Sequence, residues 1–484
     1  MVSGYSYRSH PLTIENIDID ATLKKVEKLL SEEKGLSPAM RSMVELLVLV
    51  ITLLVGRLSR NSRNSSKPPS SDPNRKRESK AKGERKAGGQ GGHEGITLKK
   101  VDSPDKVEVL KVDRKKYPRS KYHLIGYEAR QVFDIKIARV VTEYRAEIVE
   151  DAEGNRIVAS FPEGVTKSAQ YGPDLKAHAV YMSQYQLIPY KRIQEYFEEQ
   201  LGIPLSEGSL YNFNKEAYET LEPFDGKAKG ELAKSEVMQV DETSINKNGD
   251  RYWLHSASNR LWTHFFPHES RGTEAMNSIG ILPQFRGTLC HDHLKAYYTY
   301  TQCTHALCNA HHLRELEGVW EGDNTQKWAK EMKALLEETN RVVKDAGGVL
   351  ESSESEKYRQ RYRAILQNAE AESPPPDETN RKGKRGRVKR TKARNLLERL
   401  RKYEGDVLRF MDNNHVPFTN NLAENDIRMT KVQQKISGCF RSLDGAKIFC
   451  RIRSYLSTCR KREVNLSQAL QVVFRGELPD FASP

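Results

Sequence analysis

Between residues 236 and 315 the apolar residues fall into short runs that end on acids. Val237-Met238-Gln239-Val240-Asp241-Glu242-Thr243 reads as an apolar strand closing on an acidic pair. Two further apolar segments follow, around Tyr252-Trp253-Leu254 and Leu261-Trp262-Thr263-His264-Phe265-Phe266. Gly287-Thr288-Leu289-Cys290-His291-Asp292 is another strand that ends on an acid, and Thr304 to Asn309 leads into the helix around His312-Leu313-Arg314-Glu315-Leu316. Three hairpin-like strands followed by βα units specify a mixed α/β sheet. A strand that delivers a carboxylate to its end, in a chain of net charge +14, can hold a divalent metal against a phosphodiester.

The rest of the 484 residues suggests two to four domains. Residues 1–60 read as helical. The apolar run Met43 to Val55 is interrupted by Glu45 and Thr52 and falls short of the roughly 20 residues of a membrane helix, so no membrane association is expected. Met40, Val44, Leu47, Ile51, Leu54 and Leu58 alternate steps of four and three, the a/d spacing of a short coiled coil; an ordinary core helix fits the same pattern. Residues 61–105, rich in Ser, Pro, Gly, Lys and Arg, read as a flexible basic linker, either a solvated run or an arm that contacts phosphates. Residues 106–165 look like a small β-rich domain: Phe133, Ile135 and Ile137 alternate, as do Thr142, Tyr144, Ala146 and Ile148, and Asp151 to Asn155 supplies a turn. Residues 166–235 turn helical. Tyr190 to Leu201, the break Gly202-Ile203-Pro204 and a Ser206-capped helix make a helix-turn-helix-like unit, a pairing also common outside DNA-binding folds. Helices are expected again over 325–370, 393–411 and 420–475, with a basic loop at 381–394. Six cysteines are too few for a disulfide scaffold in a chain this long, and the N-terminus lacks the pattern of a signal peptide, so a reducing, cytoplasmic setting is expected.

Three acids stand out. Asp241 and Asp292 end two strands, and neighbouring strands lie about 4.8 Å apart, so carboxylates at one sheet edge can share a metal. The third is Glu424, in Asn420-Asn421-Leu422-Ala423-Glu424-Asn425-Asp426-Ile427-Arg428 at the start of a helix. Each alone has a plainer reading. Asp241 to Thr243 can mark a strand end, Asp292 can cap the next helix, and Glu424 three residues after Asn421 resembles a capping box. Taken together in a basic chain, they favour a two-metal site. His291 and His293 flank Asp292. Cys308-Asn309-Ala310-His311-His312 has no second ligand pair at zinc-finger distance, so Cys308 is expected in the core with one histidine lining the site. The glycines near 88–95 follow no strand and make no phosphate-binding loop. The basic excess near Glu424 reads as a solvated face or as a phosphate-tracking surface, with Lys295, Arg428, Lys431, Lys435 and Arg441 as the candidate DNA contacts.

At this point the chain resembles the transposases of the insertion-sequence-66 type, a bacterial DDE group. The motifs that carry the resemblance run in order along nearly the whole chain: Asn64-Ser-Ser-Lys-Pro-Pro-Ser-Ser-Asp72, Val240-Asp-Glu-Thr243, Gly287-Thr-Leu-Cys-His-Asp-His293, Cys308-Asn-Ala-His-His-Leu-Arg-Glu-Leu316, Pro417 to Arg428, and Lys435-Ile-Ser-Gly-Cys-Phe-Arg441. The resemblance implies an RNase H-like catalytic core over 236–315 and 416–484, interrupted by a helical insertion over 316–415. It implies Asp241, Asp292 and Glu424 as catalytic metal ligands for two Mg2+ ions, with Mn2+ as a substitute. Such proteins carry a small cysteine-based zinc segment before the helical region. Here no cysteine precedes Cys290, so residues 106–165 hold no thiolate zinc site.

The expected activity is metal-dependent cleavage and strand transfer at the ends of an insertion element. The partners would be transposon-end and target DNA, a second copy of the chain, and accessory proteins of the same element, in the cytoplasm at the nucleoid. A nuclease of the same fold that cuts without joining, and a catalytically inactive DNA-binding or assembly protein, are the alternatives.

Overall fold

The computed structural model describes residues 13–14, 17–33, 35–58, 98–113, 115–376 and 390–483. Most of the linker reading (61–97 of 61–105) and most of the basic loop at 381–394 therefore lie outside the described residues. The chain opens with a minimal hairpin, β1 (Thr13–Ile14) against β2 (Ile17–Asp18), then α1 (Ile19–Glu32) and α2 (Pro38–Leu58). Helix α2 carries the expected seam, but Met40, Leu47 and Leu54 stay more than half exposed (58, 54 and 53%). No helix among the described residues is long and apolar enough to cross a membrane.

Residues 76–159, with 197–203, group as one compact unit, and the remainder of the chain as another. The β-rich expectation for 106–161 is met only by a hairpin, β3 (Ile148–Glu150) against β4 (Arg156–Val158). Its turn is built as the sequence suggests. Asp151 Oδ1 accepts the backbone N–H of Glu153 and of Asn155 at 3.0 and 2.8 Å, and Gly154 takes a φ of 83°. Phe133, Ile135 and Ile137 alternate but form no strand, and all three are exposed. Period-2 patterning makes a strand only where a partner strand and a second layer accept the apolar face, and among the described residues no strand pairs with this segment.

After this hairpin α3 (Pro173–Val180) runs into a π-turn at Tyr181–Tyr185, followed by α4 (Tyr190–Leu201), whose last residues group with the smaller unit, and by α5 (Glu207–Thr220) and α6 (Glu222–Ala233). The Ser206 cap is present, its hydroxyl accepting the Ser209 N–H. Then come β5 (Val237–Lys247), β6 (Asp250–Ser258), β7 (Thr263–His268), α7 (Thr273–Ile279), β8 (Thr288–His291), β9 (Thr304–Leu307) and α8 (Asn309–Gly322). These strands form one mixed sheet in the order β7-β6-β5-β8-β9. β6 lies antiparallel to β5 and β7, and β8 lies parallel to β5 and β9. The entry to β8 runs so close to β5 that a Cβ on Gly287 would press into the backbone oxygens of Ser235 and Glu236.

The helices expected after residue 316 are α9 (Lys327–Asp345), α10 (Ser352–Glu372), α11 (Lys392–Lys402) and α12 (Glu404–Leu408); α13 (Asn421–Ser437), α14 (Leu443–Lys461) and α15 (Leu466–Phe474) close the chain. The inserted helices are not a separate lobe. Trp328, Leu336, Tyr362, Leu397 and Val407 share one core with Cys290 of β8 and with Ala306 and Leu307 of β9. The other end of the sheet is covered by α13 and α14, where Ile427, Phe449 and Cys450 meet Ile245, Leu254 and Phe265. β7 is an edge strand, and α14 closes that edge. The N–H groups of Thr263 and Phe265 donate to the hydroxyls of Thr458 (3.1 Å) and Ser454 (2.8 Å), so its outward donors are satisfied by a helix rather than left to pair another chain. No disulfide is formed; all six cysteines are free thiols.

Candidate active site

The parallel ladder between β5 and β8 ends on the pair Gln239↔Cys290. Counting two residues on in each segment, Asp241 and Asp292 stand at matching positions just past the ladder, but only Asp292 follows the end of its strand; Asp241, expected to close its strand, lies inside β5, which runs on to Lys247 paired with β6. The chain leaves β8 at once: His293 has a φ of 76°, and Asp292 Oδ1 accepts the Leu294 N–H at 3.0 Å. The helix-capping reading of Asp292 is thus partly realised, at the start of a 3-10 turn over Lys295–Thr299. One carboxylate oxygen remains for other work.

Asp241 and Glu242 point to opposite faces of β5, and their environments diverge. The Glu242 side chain is fully buried. Its carboxylate accepts Arg271 Nε and Nη2 at 2.8 and 2.6 Å and the Tyr297 hydroxyl at 2.7 Å. Burial and the nearby Asp292 raise its pKa, while Tyr297 and Arg271 hold it down. Asp241 accepts only the Glu242 N–H, at 2.9 Å, and among the described residues no cation pairs with it. Burial, and after it repulsion from Glu242, Asp292 and Glu424, holds the Asp241 carboxyl well above the usual carboxylate range. The Asp241 carboxyl therefore feels the charge of the other two acids picked from the sequence, Asp292 and Glu424.

Glu424 reaches them because the start of α13 is pinned to β5. Asn420 Nδ2 donates to the Val240 carbonyl at 2.7 Å, and the Leu422 N–H donates to Gln239 Oε1 at 3.2 Å. The capping-box reading of Glu424 does not hold: the N-cap is Asn420, with no side-chain cap bond, and the Glu424 carboxylate turns instead toward Cys308 and His311. Two residues on, Asp426 accepts Ser258 Oγ (2.6 Å), Thr263 Oγ1 (3.0 Å) and Lys461 Nζ (2.8 Å), tying α13 to β6, β7 and α14. Neither anchor was read from the sequence. The run Asn420 to Asp426 is dense in side-chain acceptors, and that density was the available signal.

Cys308 is buried, as expected, and burial pushes its thiol up to about 12. It is also part of the site. Sγ accepts the Asn420 N–H at 3.1 Å and donates to Glu424 Oε1 at 3.7 Å, while His311 Nδ1 lies 3.9 Å from the same oxygen. Cys308, His311 and Glu424 offer donor atoms all within 4.8 Å of one another, the group among the described residues best placed to hold a metal ion; neither aspartate belongs to it. His291 is buried against His305 (Nε2 to Nδ1, 3.1 Å), and burial, then His305 and His293, drives it well below the usual imidazole range, so it is neutral.

The basic candidates divide. Lys295, Arg428, Lys435 and Arg441 are exposed, with Arg428 and Lys435 seven residues apart on one face of α13. Lys431 is half-buried and donates to the Ser244 carbonyl of β5; its burial lowers its pKa. Further along, the expectation of a continuous phosphate-tracking surface is corrected. Arg451 lies over the Tyr218 ring at 3.8 Å, Arg453 is buried against the Gln184 and Tyr185 carbonyls, and Lys461 holds Asp426. Long basic side chains on a buried helix cover apolar surface and satisfy carbonyls, which the residue type alone does not reveal.

The group of Cys308, His311 and Glu424 offers one sulfur, one imidazole nitrogen and one carboxylate oxygen, donors that can hold a divalent cation. A mixed sheet with two acids at matching positions of its adjacent parallel strands, in a strongly basic chain, defines an α/β protein suited to an anionic partner. Residues 168–448, more than half of the chain, match the family model of the transposase IS66 family, and the chain belongs to that family. It is therefore a DNA-processing enzyme of transposition. A second model, a family of unknown function (DUF6444), matches residues 13–99. A search of the curated proteins finds no match.

Proposed function

We propose that the chain is a DDE transposase that cleaves the ends of its element and joins them to target DNA. The observation that carries the reading is the placement of Asp241 and Asp292 at matching positions of β5 and β8, with Glu424 brought to Asp241 by the Asn420–Val240 bond. The strand order, with three antiparallel strands followed by two parallel ones, supports an RNase H-like core. Asp241, Asp292 and Glu424 would hold two Mg2+ ions, with Mn2+ as a substitute. When bound, such ions polarise the phosphate and activate the attacking oxygen.

In the proposed reaction a water oxygen forms a bond to the phosphorus at the element end. The bond to the 3′ oxygen breaks, and that oxygen leaves as a 3′-OH. This hydroxyl then attacks a target phosphodiester in line, releasing a target 3′-OH and joining the strands. The protein's part is to hold three carboxylates at low separation in a largely dry setting. Asn420 and Asp426 fix α13, and Glu242 is kept out of the chemistry by Arg271 and Tyr297. The exposed Lys295, Arg428, Lys435 and Arg441 would contact DNA phosphates, and Lys431 would support α13 on β5 rather than reach the DNA. A second copy of the chain, accessory proteins of the element and a cytoplasmic, nucleoid-bound location belong to the same proposal.

The test is cleavage of element-end DNA with Mg2+, comparing wild type with Glu424→Gln. Cleavage and strand-transfer products from wild type, with loss of both and retained DNA binding in the variant, are expected. Cleavage without joining would point to a nuclease. Equal activity of the two proteins would remove Glu424 from the site.

A further inference from the structure

We propose that His311 is a nitrogen ligand to the ion on the Glu424 side of the site, and that Cys308 is the residue that positions the Glu424 carboxylate for it. The inference rests on the metal-dependent reading above and goes beyond the three acids. Two donors that share an ion at about 2.1 Å lie about 3.0 Å apart at a right angle and about 4.2 Å apart when opposite. The 3.9 Å between His311 Nδ1 and Glu424 Oε1 falls inside that window, and it is too long for a hydrogen bond. Nδ1 is moreover buried and has no hydrogen-bond partner, a position a metal would satisfy.

The backbone around the pair is tied to the sheet end that carries Asp292. The Cys308 N–H donates to the His291 carbonyl at 3.0 Å, and His311 sits in the first turn of α8, for which Cys308 is the N-cap. The Cys308 sulfur is held on one side by the Asn420 N–H at 3.1 Å, which directs its own S–H to Glu424 Oε1 at 3.7 Å. Sulfur is a poor ligand for the hard ions that carboxylates select, so its part is to orient Glu424. His312 does not compete, because its Nδ1 bonds Asn309 Oδ1 at 3.0 Å in the core. His293 is the rival nitrogen: its Nε2 is also buried without a partner.

The experiment is Mn2+ binding to the full chain without DNA, read by equilibrium titration and by pulsed electron paramagnetic resonance for nitrogen coupled to the ion. Wild type should show an imidazole nitrogen on Mn2+. His311→Ala should lose that signal and bind Mn2+ about 10–100-fold more weakly. His311→Asn serves as a second variant should the alanine protein fail to fold. Nitrogen coupling retained in both variants, or lost only in His293→Ala, overturns the assignment of His311. Replacing Mn2+ by Co2+ tests Cys308: no thiolate-to-cobalt absorption band is expected in wild type, and a band lost in Cys308→Ser would make sulfur a ligand and overturn its positioning role. Failure of the underlying reading looks different. In that case Asp241→Asn and Glu424→Gln would leave Mn2+ affinity unchanged.

Discussion

Asn420→Ala isolates the element that brings the third acid to the other two. Asn420 is 1% exposed, and its amide donates to the Val240 carbonyl one residue before Asp241. Removing the donor to a buried carbonyl costs about 1–3 kcal/mol. The alanine also deletes Asn420 Oδ1, a buried acceptor with no partner, which offsets about 1 kcal/mol of that loss. The net destabilisation is then about 0–2 kcal/mol, too small to unfold a domain with a typical stability of about 5–15 kcal/mol. Activity should fall much further, because α13 loses its bond to β5 at the turn that carries Glu424. A shift of about 1 Å in a catalytic group costs about 100-fold. The assays are chemical unfolding and element-end cleavage, the latter well below the unfolding transition, with DNA binding measured in parallel. Wild-type cleavage, or a loss no larger than the unfolded fraction accounts for, would refute the view that this bond positions the site.

Two further predictions follow from the geometry. The Asp241 carboxyl has its native pKa raised above 3.8 by burial and by its acidic neighbours, so the native state holds more protons than the unfolded state above that value. Its contribution is therefore most favourable at low pH and is lost as pH rises through the native pKa. Asp241→Asn should make the metal-free protein more stable than wild type at neutral pH, by about 0.5–2 kcal/mol, and the gap should close below about pH 4. A gap that is unchanged by pH in thermal unfolding would contradict this. Gly287→Ala should weaken the β5–β8 pairing, since its Cβ meets the Ser235 and Glu236 oxygens; soluble expression with an unaltered unfolding midpoint would show that the backbone yields there.

Much of the catalytic half was legible in the chain because its signals are local. Strand period, the Asp292 that follows β8, the Asp151–Asn155 turn and the Ser206 cap each depend on residues a few positions apart, and the structure bears out the elements they mark, although β5 runs past Asp241 to Lys247. The alternation over 133–148 was equally local and mostly failed, since a strand needs a partner that the pattern does not supply.

What only the tertiary structure decided are the pairings between distant segments. Arg271 meets Glu242 29 residues away, and that contact, invisible in Asp241-Glu242, separates the unpaired Asp241 from its ion-paired neighbour. Asn420 and Asp426 reach β5, β6 and β7 across more than 160 positions and thereby set where Glu424 stands. The same distance effect turned Arg451, Arg453 and Lys461 from apparent surface charge into interior supports. Residue types and their period determine which elements form. Which side chains then meet depends on the packing of whole elements, and no short stretch of sequence carries that.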